Sequence, residues 1–129
     1  MRCALDLDGV LAVQASFSEL DKYDTWEGKL SVFMQQDTLH SPSEFGFQEG
    51  DSVTVITARM PEMYEGTLTW LKSHFPKYDF VLHVVPYGKD AAEKKVALML
   101  SLGVTDYYDD RADWCERIRA HGINAVQVL

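Results

Sequence analysis

An α/β fold built on a parallel sheet is what this chain predicts, and three observations predict it. Five short apolar runs stand apart along the 129 residues: Cys3–Leu7, Val53–Thr57, Phe80–Val85, Asp106–Tyr108 with its neighbours, and Asn124–Val128. They are rich in Val and aromatics and bounded by Gly, Pro or Asp, which marks strands. Helical spacing falls between the later runs, and alternating strands and helices imply a parallel sheet covered on both faces. Polar and acidic residues gather where the runs end, and in open parallel sheets ligands bind beyond the carboxyl ends of the strands.

The elements follow in order. Cys3–Leu7 is the first strand, and Gly9 behind it supplies a sharp turn. The stretch Ala12–Gly50 carries the weakest pattern. Ser31–Gln35 has helical character, Ser41-Pro42 opens a short helix, and Phe17, Tyr23 and Trp26 are scattered among acids and polar residues. It is read as a helix and loop insertion, either packed on the sheet or lying over the site. After Val53–Thr57, Pro61 stands at a first helical position, and Tyr64, Leu68, Leu71 and Phe75 share one helical face. Beyond Phe80–Val85, Asp90 is placed as an N-cap and Gly103 as the C-terminal stop of a helix over Ala91–Leu102. Asp113–His121, ended by Gly122, forms the last helix before Asn124–Val128.

Composition bounds the rest. The length suits one domain, and 47% hydrophobic with 25% charged residues is ordinary for a folded chain. No apolar run approaches the roughly 20 residues of a membrane span. The two cysteines, Cys3 and Cys115, have no metal-ligand spacing, and a reducing cytoplasm is the expected location. Twelve basic against 20 acidic residues give a net charge of −8. That excludes a broad basic surface for nucleic acid but allows a small basic entrance and a cation-neutralised acidic site.

The strand ends hold the chemistry. Asp6 and Asp8 lie two apart and would share a face in a straight strand; two adjacent carboxylates call for a cation or a shared proton. Thr57-Ala58-Arg59 closes the second strand with a hydroxyl, backbone amides and a guanidinium suited to phosphate oxygens. On the helix over Ala91–Leu102, Lys95 falls near the centre of the apolar face and Lys94 at its edge. An inward lysine is costly unless it meets an anion, so Lys95 ranks ahead of Lys94 and Lys89. Asp109-Asp110 closes the fourth strand, with Arg111 beside it. Oxygen ligands of this density, with no His or Cys among them, suit Mg²⁺ rather than zinc.

In this order, Asp6-Leu7-Asp8-Gly9, Thr57, an inward lysine and Asp109-Asp110 resemble the motifs of the haloacid dehalogenase superfamily of phosphohydrolases. Within it the likeness is greatest to the phosphatase domain of phage-type polynucleotide kinase, through Leu7-Asp8-Gly9-Val10-Leu11-Ala12, Thr57-Ala58-Arg59, Asp109-Asp110-Arg111 and Trp114, Arg117, Gly122 and Gln127-Val128. Phe17–Gly50 departs from that pattern, and no glycine-rich phosphate loop is present. The resemblance implies a three-layer Rossmann-like fold with a mostly parallel five-stranded sheet of order 5-4-1-2-3. It implies a single phosphohydrolase domain over residues 1–129, with 12–50 as an insertion rather than a full cap.

The resemblance also implies a Mg²⁺-dependent phosphomonoesterase. Asp6 would form an aspartyl-phosphate, and Asp8 would serve as general acid and then base. Thr57 and Lys95 would hold the phosphoryl group, and Thr57, Ala58 and Arg59 would meet the substrate. Asp6, the Asp8 carbonyl, Asp109 and Asp110 would hold the metal. The substrate is a phosphorylated nucleic-acid end, as for a polynucleotide 3′-phosphatase, or alternatively a nucleotide or another small phosphoester. A non-catalytic phosphate-binding role is the remaining alternative. A receiver domain is disfavoured, because its acid pair and accepting Asp come in a different order.

Overall fold

The computed structural model describes residues 2–129. Its core is a five-stranded sheet, all parallel, with strands in the order β3-β2-β1-β4-β5. The strands are β1 (Cys3–Leu5), β2 (Ser52–Ala58), β3 (Asp79–Val85), β4 (Asp106–Asp109) and β5 (Asn124–Gln127). Read from its other edge, this is the expected Rossmann-like order. Helices α1 (Phe17–Leu20) and α2 (Trp26–Met34) precede β2; α3 (Tyr64–His74), α4 (Ala91–Leu102) and α5 (Ala112–Arg119) follow β2, β3 and β4.

Two apolar layers cover the sheet. Val96 and Met99 of α4 and Trp114, Cys115 and Ile118 of α5 pack on one face with Ala4, Ile56 and Tyr107. Trp70 and Leu71 of α3, with Phe75, pack on the other with Leu5, Val53 and Val55. Strands buried on both faces need no polar alternation, which is why β1 and β2 read as nearly continuous apolar runs. The buried face of α3 is Thr67, Trp70 and Leu71, whereas Tyr64 is exposed. Of the expected face, Leu71 and Phe75 are buried and Leu68 packs against them; only Tyr64 is exposed, and Met63 of the preceding 3₁₀ turn is buried instead.

Strand β1 is shorter than expected, and this shapes the site. Pairing stops at Leu5, and the carbonyl of Leu7 accepts hydrogen bonds from the amides of Val10, Leu11 and Ala12. Gly9 turns this loop with φ +83°, and a Cβ there would overlap the Asp110 carboxylate. Only glycine meets both demands without strain. Asp6 and Asp8 consequently leave the strand in different directions.

The insertion departs and returns through adjacent backbone. Val13 N–H bonds Asp37, Leu39 N–H bonds Leu11, and His40 N–H bonds Val10. Between these ties, α2 packs on α3 and α1 packs on α2. Thr25 caps α2 by accepting from the Gly28 amide, as an N-cap threonine does. Gly66 of α3 lets Leu30 close in, since a Cβ there would lie 2.7 Å from it. Ser41 and Glu44 form a reciprocal capping box on the 3₁₀ turn Pro42–Phe45. Among the described residues, no helix is long and apolar enough to cross a membrane.

Candidate functional site

The carboxyl ends of β1, β2 and β4 converge on one cleft of about 740 Å³. Asp6, Asp8, Ala58, Arg59, Asp110, Arg111 and Trp114 form its floor, and Gln14, Phe17, Leu20, Lys29 and Phe33 of the insertion form one wall. The excursion between β1 and β2 thus lies over the strand ends as well as packing on α3.

One half of the floor is an acid cluster. Asp6, Asp109 and Asp110 each offer a carboxylate oxygen within 4.8 Å of the others. Lys95 is wholly buried among them, its Nζ 3.1 Å from Asp6 Oδ1 and 3.6 Å from Asp109 Oδ2. Lys94 and Lys89 are exposed. Lys95 also donates to the Tyr107 hydroxyl at 2.7 Å, and that hydroxyl donates to Asp109 Oδ2 at 3.0 Å. The amide of Arg111 donates to Asp109 Oδ1 at 3.0 Å. Asp6 Oδ1 accepts from the Leu7 amide at 2.8 Å as well as from Lys95, which leaves Oδ2 for the cleft.

Three carboxylates against one ammonium leave this half rich in negative charge. Burial, followed by the charge of Asp109, holds the Asp6 carboxyl well above the usual carboxylate range, against the pull of Lys95. Burial and then Asp109 push Asp110 up to about 6. The Tyr107 hydroxyl is driven upward too, first by burial and then by Asp6 and Asp109, so it stays a neutral donor. Together the three carboxylates could hold a metal ion, and an all-oxygen donor set is of the kind that suits a hard divalent cation such as Mg²⁺. At the end of β2 Thr57 is buried, and its Oγ1 has no hydrogen-bond partner among the described residues. An unpaired buried hydroxyl is uncommon and calls for a ligand or water.

The other half is built and neutralised. Arg59 grips Asp8 through Nη2 to Oδ1 at 2.8 Å and Nε to Oδ2 at 3.3 Å. Its remaining donors reach Thr67 Oγ1 and Gln36 Oε1, each at 3.0 Å, and its plane lies 3.9 Å from the centre of the Phe33 ring. Arg59 is 4% exposed. Sequence places it on a substrate phosphate; in the structure its donors go to the protein, and its ionic partner is Asp8. Ala58 lines the cleft half-buried. Arg111 pairs with Asp113 at 3.1 Å and covers Trp114, and it lines the cleft.

Four participants escaped sequence reasoning. Tyr107 carried a signal, since it lies two residues before Asp109 on the same face of β4. Gln36, Thr67 and Phe33 carried none; their roles arise from contacts between distant segments.

No family model and no curated protein matches the chain. Solved structures do match. A chain in the structure of the Pnkp1/Rnl/Hen1 RNA repair complex superposes with a TM-score of 0.68 and 22% identity, covering 98% of this chain and 42% of that one. A chain in a further structure of the Pnkp1/Rnl/Hen1 complex gives 0.67 and 24%, covering 98% and 45%. At these identities the likeness shows the fold. The chain spans less than half the length of either.

Proposed function

We propose that this chain is a Mg²⁺-dependent phosphomonoesterase of the haloacid dehalogenase type, acting through an aspartyl-phosphate on phosphorylated nucleic-acid ends. The observation that carries the reading is the triad of Asp6, Asp109 and Asp110 around buried Lys95, with the unpaired Thr57 hydroxyl at the end of β2. Asp6, Asp109 and Asp110, together with the Asp8 carbonyl, would hold Mg²⁺. When bound, the ion offsets the carboxylate charge and lets a phosphate dianion approach.

The chain's own groups divide the remaining work. Asp6 Oδ2 attacks phosphorus, and the P–O bond to the leaving alcohol breaks. Asp8 gives its proton to that oxygen, then takes one from the water that cleaves the aspartyl-phosphate. Thr57 and Lys95 hold the phosphoryl oxygens and stabilise the charge that develops on them. Arg59 holds Asp8 in place.

Kinship of fold with chains of an RNA repair complex supports a nucleic-acid end as substrate. A second reading, a nucleotide or small phosphoester, draws on the insertion's wall over the site and a cleft volume usual for small ligands. A substrate panel separates them. Phosphate release is measured from a 3′-phosphorylated RNA oligonucleotide, a 3′-mononucleotide and an aryl phosphate, with Mg²⁺ and with a chelator. The proposal expects Mg²⁺-dependent release, highest from the oligonucleotide. Preference for the mononucleotide supports the second reading. Release from none contradicts both.

A further inference from the structure

We infer that Gln36 is the positioning residue of Asp8, fixing the orientation of its carboxylate and tying the insertion to the acid-base group. The inference rests on the acid-base role of Asp8 proposed above.

Gln36 lies just beyond α2 and is 9% exposed. Its main chain is pinned on both sides: its amide bonds the Phe33 carbonyl, and its carbonyl accepts from Trp70 Nε1 at 3.2 Å. All the polar capacity of its carboxamide is directed at the site. Nε2 donates to Asp8 Oδ1 and to the Val13 carbonyl, each at 2.8 Å, and Oε1 accepts from Arg59 Nη2 at 3.0 Å. The amide has only one workable orientation, since a flip would set its oxygen against two acceptors and its NH₂ against a guanidinium.

The consequence is an asymmetric carboxylate. Oδ1 of Asp8 takes two donors at 2.8 Å, from Gln36 and Arg59, while Oδ2 takes only Arg59 Nε at 3.3 Å. Oδ1 is the more firmly anchored oxygen, and the carboxylate is held in one orientation. Gln36 belongs to the same excursion as Phe17, Leu20, Lys29 and Phe33, which wall the cleft. Arrangement of that wall and aim of Asp8 are thereby one structural event.

Asp8 protonates the leaving oxygen, so its aim matters most when the leaving group is poor. The test compares kcat/KM for phenyl phosphate and 4-nitrophenyl phosphate, two esters of similar size, in the wild type and in Gln36→Met, which keeps the volume and removes the hydrogen bonds. Gln36→Glu, which keeps the acceptor and loses the donors, is run alongside, and thermal melting confirms that each variant folds. The expected result is a loss of about tenfold on phenyl phosphate with little change on 4-nitrophenyl phosphate, a fraction of the ~10²–10⁴-fold worth of a whole proton-transfer group. Equal losses on both esters, or no loss on either, overturn the inference and leave Gln36 a packing residue. Absence of phosphate release by the wild type from both esters and from the 3′-phosphorylated oligonucleotide overturns the phosphatase reading itself, and the inference with it.

Discussion

The two halves of the cleft floor use the same residue types in opposite ways. Around Asp6, three carboxylates share one buried lysine, and the group carries an excess of negative charge. Around Asp8, one carboxylate faces one arginine, and each nitrogen of that guanidinium donates to the protein, to Asp8, Thr67 or Gln36. The first half could hold a metal ion, whereas the second is paired by the chain itself. The difference teaches that Asp8, the proposed acid-base group, is held in advance by hydrogen bonds, while the surroundings of Asp6, the proposed nucleophile, would be completed by metal and phosphate.

Replacing Lys95 should produce the largest change, because it strips the acid half of its only counter-charge. Lys95→Met is expected to cost about 3–5 kcal/mol, the usual range for breaking a buried pair. Urea unfolding at pH 8 measures it. The loss should shrink as pH falls, since the Asp6 carboxyl is held above the usual carboxylate range, first by burial and then by Asp109. A variant as stable as the wild type at pH 8 would show that the cluster needs no buried cation.

Magnesium should separate the halves next. Saturating Mg²⁺ at 100 times its Kd stabilises a folded protein by about 2.7 kcal/mol, seen as a raised Tm. Asp109→Asn should abolish the shift. Asp8→Asn keeps the Asp8 carbonyl and should retain it. Loss of the shift in Asp8→Asn alone would put the metal on the wrong half.

Arg59→Lys should lower kcat/KM by about 10–100-fold, since a lysine cannot keep the two-pronged grip on Asp8 and a charged hydrogen bond is worth roughly 1.5–3 kcal/mol. An unchanged kcat/KM, with folding intact, would remove Arg59 from the account.

The smallest effect is on stability against pH without metal. Asp110 is pushed up to about 6 in the fold, against roughly 3.9 in an unfolded chain. The folded state therefore binds more protons between those values, and its stability falls as pH rises through that window. Chemical unfolding in a chelator at pH 4, 5, 6 and 7 should show that fall, and Asp110→Asn should reduce it. A steady rise with pH would contradict the raised Asp110.

The sequence carried much of this unevenly. Parallel strands buried on both faces announce themselves as apolar runs, so the sheet was legible, while its order followed from the family resemblance. Lys95 was legible because a lysine on the apolar face of α4 has to meet an anion. The divergence of Asp6 and Asp8 was not, since it depends on where β1 stops and on the turn through Gly9. Helices α1 and α2 contain no buried residue, so they carry no apolar stripe to read. Gln36 reaches Arg59 across 23 residues and Thr67 across 8, and isolated polar contacts of this kind leave no periodic trace.

The central claim is that Asp6 is the nucleophile of a magnesium-supported phosphate hydrolysis. Phosphate release from 4-nitrophenyl phosphate by the wild type and by Asp6→Asn, each with Mg²⁺ and each with a chelator, tests it most directly. Release by the wild type with Mg²⁺ alone, and by neither protein otherwise, is the result the account predicts. Wild-type rates in a folded Asp6→Asn, or release that persists in the chelator, would contradict it.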